Sequence, residues 1–384
     1  MPRKVCVVVT ARPSYARIKS ALRAIQKHPD LELQLVVAAS ALLDRYGNAV
    51  RVIEQDGFQI NQRVYMILEG ENLVTSAKST GVGITELATA FDNLKPDVVV
   101  TIADRYETLA TAVAASYMNL PLAHVQGGEV TGSIDEKVRH AVTKLADAHF
   151  VSTPRAAERV IRMGERPERV HVTGCPSIDL ACETLRNSQL DFDPFDKYGG
   201  VGMRSDLAAG YIIVMQHPVT TEYEHARRTV TETLHAVNAL GLPTFWFWPN
   251  VDAGSDGTSR GIRAFREIEH PRHIHFFKNM TPEDFLKLAA NARCVVGNSS
   301  VAIRECSFLG VPAVNIGTRQ AGRERGKNVL DVDYSRTEIQ DAVKRQLRHG
   351  KYPSDPLYGD GHAGEKIADL LATMQLSIEK QLTY

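Results

Sequence analysis

Val-Val-Gly-Asn-Ser-Ser-Val-Ala-Ile-Arg-Glu, residues Val295–Glu305, is the stretch whose reading decides the fold. Cys294–Val296 has the character of a short buried strand, and Gly297 and Asn298 break it. Ser299 and Ser300 then open a predicted helix that runs to Leu309 and stops at Gly310, with Pro312 just beyond. A helix that starts this way aims backbone N–H groups and the positive end of its dipole at the space above the sheet. Two hydroxyls stand at the same point, so the spot suits a diphosphate. Glu305, about one to two turns further on, offers a carboxylate to ribose hydroxyls. After the next predicted strand, Pro312–Ile316, the loop from Thr318 to Arg325 carries three arginines in seven residues, a source of counter-charge. Taken by itself, the stretch is as well described by a serine N-cap beside a solvated basic loop.

The surrounding chain has 384 residues, a length that suggests two domains. Hydrophobic residues make up 43% and charged residues 23%, the balance of a soluble globular protein. Lys+Arg and Asp+Glu each number 45, which argues against a nucleic-acid partner and against a polybasic membrane-facing surface. The five cysteines, Cys6, Cys175, Cys182, Cys294 and Cys306, show no metal-ligand spacing; read as reduced thiols they fit the cytoplasm. The apolar run near the N-terminus is too short for a signal peptide, and none approaches membrane length.

The first half reads as repeated strand–helix units. Val5–Thr10 is a β-branched strand, 11–15 a turn, and Ala16–Lys27 a helix with Ile18, Leu22 and Ile25 on one face; Leu31–Ala38 is the second strand. The first loop carries Arg12 at a strand's carboxyl end, where open α/β sheets bind ligands, but no G-x-G-x-x-G. Residues 40–75 are irregular. A helix around Ser76–Leu94, strand Val98–Ile102 ending in Asp104-Arg105, helix Glu107–Met118 and strand Leu122–Val125 ending in Gln126-Gly127-Gly128-Glu129 follow. Ser133-Ile134-Asp135-Glu136 is a capping box, and Val138, Val142 and Leu145 form its helix's buried stripe. Asp135 and Arg139, four apart, share a face; as an exposed ion pair they are worth under about 1 kcal/mol. Strand His149–Ser152, helix Arg155–Met163 and strand Val170–Thr173 complete this half.

An inter-domain linker is expected within 174–198. The second half starts with strand Tyr211–Met215, ending in Gln216-His217-Pro218, and continues with helix Tyr223–Leu240 and strand Thr244–Trp248, ending in Pro249-Asn250. Strand Ile274–Phe277 precedes a helix start at Thr281-Pro282. Helix Thr337–His349 and a last helix, Glu365–Ile378, lie beyond the opening stretch. Two doubly wound halves of similar size result, with ligands expected in the cleft between their rims.

Arg12, Asp104-Arg105, the run His124 to Glu129, Gly132 to Asp135 with Arg139 and His140, Gln216-His217-Pro218, Pro249-Asn250, Asn298-Ser299-Ser300 through Glu305, and Gly317 to Gln320 occur in this order. Together they resemble the hydrolysing UDP-N-acetylglucosamine 2-epimerases of sialic and legionaminic acid precursor synthesis. The resemblance covers most of the chain; the set of motifs is specific and no single one is. It implies a GT-B-like α/β architecture: two doubly wound Rossmann-like domains facing each other across a cleft. The implied division is 1–178 with the catalytic carboxylates, 179–364 for UDP binding, and a C-terminal helix, 365–384, crossing back onto the first domain. It further implies a metal-independent reaction with no cofactor, a UDP-sugar substrate, and a cytoplasmic homodimer or homotetramer. Carried over residue by residue, Ser299, Ser300 and Glu305 are the diphosphate and ribose contacts, Arg12 and Arg319 further UDP contacts, and Asn250 a position near the sugar or diphosphate. Asp104, Gln126, Asp135 and Arg139 fall at catalytic positions of the first domain, with His217 acting on the phosphate or leaving oxygen.

In the family this resemblance names, a base removes the C2 proton while UDP leaves C1; water then adds to the 2-acetamidoglycal and releases N-acetylmannosamine. A positioned base and stabilisation of the leaving charge are what such a step requires. One departure stands out. The family usually carries Glu where this chain has Gln126, and an amide cannot act as a base at neutral pH. Three accounts follow: a subgroup that assigns acid–base work to Asp104, Asp135 and Glu129; an inactivated variant; or UDP cleavage without inversion at C2. The same chemistry on UDP-2,4-diacetamido-2,4,6-trideoxyglucose, a GT-B glycosyltransferase or UDP-sugar hydrolase, and a non-enzymatic UDP-sugar sensor are the alternative functions. The run from Gly127 to Asp135 and the Asn-Ser-Ser motif look like the hydrolysing rather than the non-hydrolysing branch.

Overall fold

β-Branched and aliphatic runs of four to eight residues, each followed by an amphipathic helix, build two parallel sheets. The computed structural model describes residues 1–44, 48–70, 72–132, 135–249 and 254–383. The chain divides into two compact units: Met1–Glu129, Ile134–Asp179 and Tyr358–Tyr384 form the first, Val130–Ser133 and Leu180–Leu357 the second.

In the first unit the strands are β1 (Arg3–Val9), β2 (Leu31–Ala38), β3 (Gln62–Val64), β4 (Val98–Ile102), β5 (Leu122–Val125), β6 (Ala148–Val151) and β7 (Val170–Val172). They pair in the order β3-β2-β1-β4-β5-β6-β7, all parallel. The helices are α1 (Arg12–Lys27), α2 (Ala49–Gln55), α3 (Leu73–Leu94), α4 (Tyr106–Tyr117), α5 (Asp135–Leu145), α6 (Pro154–Arg162) and the start of α7 (Pro176–Arg186). Strand β1 is buried on both faces: Val5, Val7 and Val9 pack with Ile18 and Leu22 of α1, while Cys6 and Val8 pack with Leu87 and Phe91 of α3. Strand order reverses between β1 and β4, which leaves a crevice at their carboxyl ends.

The second unit holds α8 (Pro194–Tyr198), β8 (Ile212–Met215), α9 (Ala226–Asn238), β9 (Thr244–Phe247), α10 (Ser255–Glu269), β10 (Ile274–Phe277), α11 (Pro282–Asn291), β11 (Cys294–Gly297), α12 (Glu305–Phe308), β12 (Ala313–Ile316), β13 (Val329–Val332) and α13 (Arg336–His349). Its sheet runs β10-β9-β8-β11-β12-β13, again all parallel, with the reversal between β8 and β11. Ile212 and Val214 of β8, Trp246 of β9 and Val296 of β11 share one core with Val230 and Leu234 of α9.

The last helix, α14 (Ala363–Thr373), belongs to the first unit and packs on α1. Its first N–H groups are capped from a distance. The Asp179 carboxylate accepts from Ala363 N at 2.9 Å and Gly364 N at 2.7 Å, and from Ser20 Oγ at 2.7 Å. The helix stops at Thr373, short of the expected Ile378, and residues 374–383 run on without helix.

The chain passes from the first unit to the second at Asp179–Leu180, inside the stretch 174–198 where the linker was expected, and that stretch carries α7 and α8, each started by a proline at the first turn. One further expectation needs correction. The helix expected from Ser299 to Leu309 is instead a single 3₁₀ turn, Ser300–Ala302, followed by the short α12. Ile303 and Arg304 between them keep right-handed helical dihedrals but belong to neither helix, so the dipole at Ser299 is that of one turn.

Candidate active site

In the first unit the strand ends on either side of the reversal carry the charged side chains. Arg12 opens α1 directly after β1, with Pro13 behind it in the first turn. Desolvation lowers its guanidinium to about 10, so it remains a cation at neutral pH. Strand β4 ends at Ile102, and Ala103 turns out of it in the left-handed region (φ 69°), which presents Asp104 beyond the sheet edge. Gln126 leaves β5 in the same way, also at φ 69°.

Arg139, on the second turn of α5, is 1% exposed and gathers this region. One nitrogen, Nη2, contacts the Asp104 carboxylate; the other, Nη1, donates to Glu136 Oε2 and to the Glu129 carbonyl, both at 2.9 Å. Burial alone would lower this guanidinium, but the charges of Asp104, Glu129 and Glu136 more than offset it and hold it above its ordinary value. Arg139 thus ties together Asp104 across the sheet, the Glu129 carbonyl and Glu136 three residues back. Asp135 is the first residue of α5; Ser133, the serine of the expected capping box with Glu136, lies outside the described residues. Glu136 does not act only as a cap: its other oxygen takes His140 Nε2 at 2.9 Å.

Gln126 is 1% exposed. Its Nε2 donates to Cys175 Sγ at 2.9 Å, and Cys175 Sγ lies 3.0 Å from Ser177 Oγ. Gln126 Oε1 is buried without a hydrogen-bond partner among the described residues. Glu129, 3% exposed, accepts from Ser152 Oγ at 3.1 Å.

In the second unit the same plan is drawn with neutral groups. Gly297 ends β11 at φ 129°, where a Cβ would stand 2.2 Å from the Met215 carbonyl; only glycine lets the two strand ends come this close. Asn298 then bridges to β8's end, accepting from His217 N at 2.7 Å and donating to His217 O at 2.8 Å. The Asn298 carbonyl in turn receives Arg319 Nη1 at 3.2 Å and Gln320 Nε2 at 2.9 Å. His217, Ser299 and Arg319 therefore share one hydrogen-bonded frame. Ser299 caps the 3₁₀ turn through Val301 N at 3.4 Å, and Ser300 stands at its start, both 6% exposed. Glu305, at the head of α12, is 6% exposed, and its Oε2 has no hydrogen-bond partner among the described residues. Buried carboxylates are ordinarily paired, so this oxygen is suited to a ligand's hydroxyl.

Of the three loop arginines, Arg319 faces the frame. Arg323 donates to Gln320 Oε1 at 2.9 Å, and Arg325 to the Gln320 carbonyl at 2.6 Å and to Asp331. Those two knit their own loop, which corrects the reading of all three as counter-charge. Asn250 lies outside the described residues. His124 and Thr143 had no role in the sequence reading; both are fully buried beneath Asp104, and only their place in a close-packed motif with Gly127 signals them.

The model of a family described as UDP-N-acetylglucosamine 2-epimerase matches residues 23–372. A relative from Legionella pneumophila, named as a UDP-N,N'-diacetylbacillosamine 2-epimerase (hydrolyzing), is 31% identical over 98% of this chain and 97% of its own length. Another from Neisseria meningitidis, named as a UDP-N-acetylglucosamine 2-epimerase, is 29% identical over 99% of this chain and 98% of its own. A crystal structure of a Neisseria meningitidis UDP-GlcNAc 2-epimerase bound to UDP-GlcNAc superposes with a TM-score of 0.78 at 17% identity, covering 96% of this chain and 99% of that one. Its likeness is one of fold: two parallel sheets with interleaved helices.

Proposed function

The chain belongs to the UDP-N-acetylglucosamine 2-epimerase family, and on that premise we propose that it is the hydrolysing kind: UDP-N-acetylglucosamine and water are converted to N-acetylmannosamine and UDP. The observation that carries this is the buried Arg139 holding Asp104 beside Glu129 and Glu136 at the strand ends of the first unit. Elimination needs a base for a weakly acidic C2 proton and donors for the charge that grows on the leaving diphosphate. Asp104, kept ionised by Arg139, and Asp135 take the proton work. Gln126, a neutral amide, serves as a hydrogen-bonding group, and Glu129 completes the acidic set. His217, Ser299, Ser300 and Arg319 receive the diphosphate, with Arg12 as a further cation and Glu305 on the ribose. Asn250 is expected near the sugar. A homo-oligomer in the cytoplasm belongs to the same proposal.

The Legionella relative's name favours a second substrate, UDP-2,4-diacetamido-2,4,6-trideoxyglucose, for the same chemistry. Incubation with each UDP-sugar in deuterated water, followed by proton NMR, tests both. Free 2-epimer carrying deuterium at C2, with stoichiometric UDP, is the expected result, and the faster sugar is the substrate. UDP release with the C2 proton retained would replace elimination by simple hydrolysis; release of neither would overturn the proposal.

A further inference from the structure

We propose that His124 is a positioning residue for Asp104, acting through the carbonyl of Ala103; the proposal rests on the reading of Asp104 as a base. His124 is fully buried in β5. Its Nε2 lies 2.9 Å from the Ala103 carbonyl and its Nδ1 3.1 Å from Thr143 Oγ1. A carbonyl only accepts, so Nε2 carries the hydrogen and donates. Nδ1 is then bare and accepts from the Thr143 hydroxyl. Two partners thus fix one tautomer. Burial keeps the ring neutral by lowering its pKa to about 3, so it holds this pattern across the physiological range.

What the ring holds is the backbone immediately before Asp104. Ala103 is in the left-handed region, which a residue with a Cβ adopts only where its surroundings impose it. Thr143 is one turn beyond Arg139 on α5, and Arg139 grips the Asp104 carboxylate. Asp104 is therefore set from one helix at two points: at its carboxylate through Arg139, and at its preceding peptide through Thr143 and His124. Gly127 makes the room, since a Cβ there would stand 2.9 Å from Thr143 Oγ1 and 3.0 Å from His124 Nδ1. The alternative is a satisfied core histidine that contributes stability alone.

The two are separated by His124→Gln, His124→Phe, Thr143→Val and Thr143→Ser in the full chain. Gln keeps a donor for the Ala103 carbonyl; Phe keeps the ring without it. If His124 positions Asp104, His124→Phe lowers kcat by about 10²-fold with KM and UDP affinity little changed, the cost typical of a misplaced catalytic group. His124→Gln recovers part of that loss, Thr143→Val lies between, and Thr143→Ser stays near the parent. Folded His124→Phe with parental kcat overturns the proposal; should that variant fail to fold, parental kcat in Thr143→Val does so. Selective ¹⁵N-histidine NMR reads the contact without turnover. The signal missing in His124→Gln must show the Nε2–H tautomer, unchanged from about pH 5 to 8; the other tautomer overturns the proposal. If the parent turns over no UDP-sugar, the functional reading fails while the tautomer still reports on the contact.

Discussion

Asn298 holds His217 by both sides of its peptide, accepting from the amide at 2.7 Å and donating to the carbonyl at 2.8 Å. A side chain here does what a neighbouring strand would do, two residues past the end of β8 and one past the end of β11. The first prediction follows from its amide donor. Asn298→Asp keeps the acceptor, cannot donate to the His217 carbonyl, and leaves that buried group unmatched at about 1–3 kcal/mol. UDP affinity, read by titration calorimetry, should fall roughly 10-fold or more, since each 1.4 kcal/mol is tenfold. An unchanged affinity with a lowered Tm would make the clasp purely structural.

Asp104 carries the second prediction. Asp104→Asn keeps shape and hydrogen-bonding capacity but removes the base and the charge facing Arg139. UDP release should slow by about 10²–10⁴-fold. Binding of UDP alone should change little, because the contacts proposed for the diphosphate, His217, Ser299, Ser300 and Arg319 with Arg12, do not include Asp104. Near-parental turnover would remove Asp104 from the mechanism and pass its role to Asp135.

Much of this site was legible because strand ends in a doubly wound sheet are marked in sequence. A β-branched run followed by Asp104, Gln126, His217 or Asn298 places each side chain at the carboxyl edge, whatever the tertiary detail. Both strand orders follow from the same alternation of strand and helix. What stayed hidden depends on partners distant in the chain. Arg139 contacts Asp104, 35 residues away, a partner that spacing along the helix cannot indicate. Arg323 and Arg325 look like counter-charge until Gln320 and Asp331 are seen to take them. The helices at 176–186 and 194–198 were missed because their stabilisation comes from packing more than from a regular apolar period. The break at Ile303 and Arg304 has no sequence mark at all.

The third prediction concerns acid stability of the first unit. His124 and His149 are buried, and desolvation holds both below the ordinary histidine value. In the unfolded chain they take up protons near pH 6.5, which the folded protein refuses, so stability is lost as pH falls below that value. Glu165 adds a second stage. Burial would raise it, but hydrogen bonds from His149, Lys144 and Lys380 win and hold it at about 2, against 4.5 unfolded. Its contribution, on the order of 3 kcal/mol, is present above pH 4.5 and disappears as pH falls toward 2. Urea midpoints measured downward from pH 8 should decline in these two stages. His124→Gln should flatten the first and leave the second; identical slopes would contradict the assignment.

Gln126 decides how the chain's departure from the Glu that the family resemblance implies is to be understood. The amide is 1% exposed, donates to Cys175 Sγ at 2.9 Å, and has a buried Oε1 with no partner among the described residues. Glu at this position would be isosteric but would lose the donor and bring a charge into a region already holding Asp104 and Glu129. Burial disfavours that charge, so the new carboxyl's pKa lies above its unfolded value of about 4.3. The sign follows: Gln126→Glu matches the parent's stability near pH 4 and falls behind as pH rises, by about 1–3 kcal/mol. If Asp104 and Asp135 do the proton work, the new carboxyl adds nothing and UDP release is no faster than in the parent. A gain of tenfold or more, accompanied by deuterium at C2, would show that position 126 is where the base belongs and that the glutamine has disabled it. Measuring the stability difference and the rate over the same pH series separates the two, because a carboxyl that works as a base must be ionised at the pH where the rate rises.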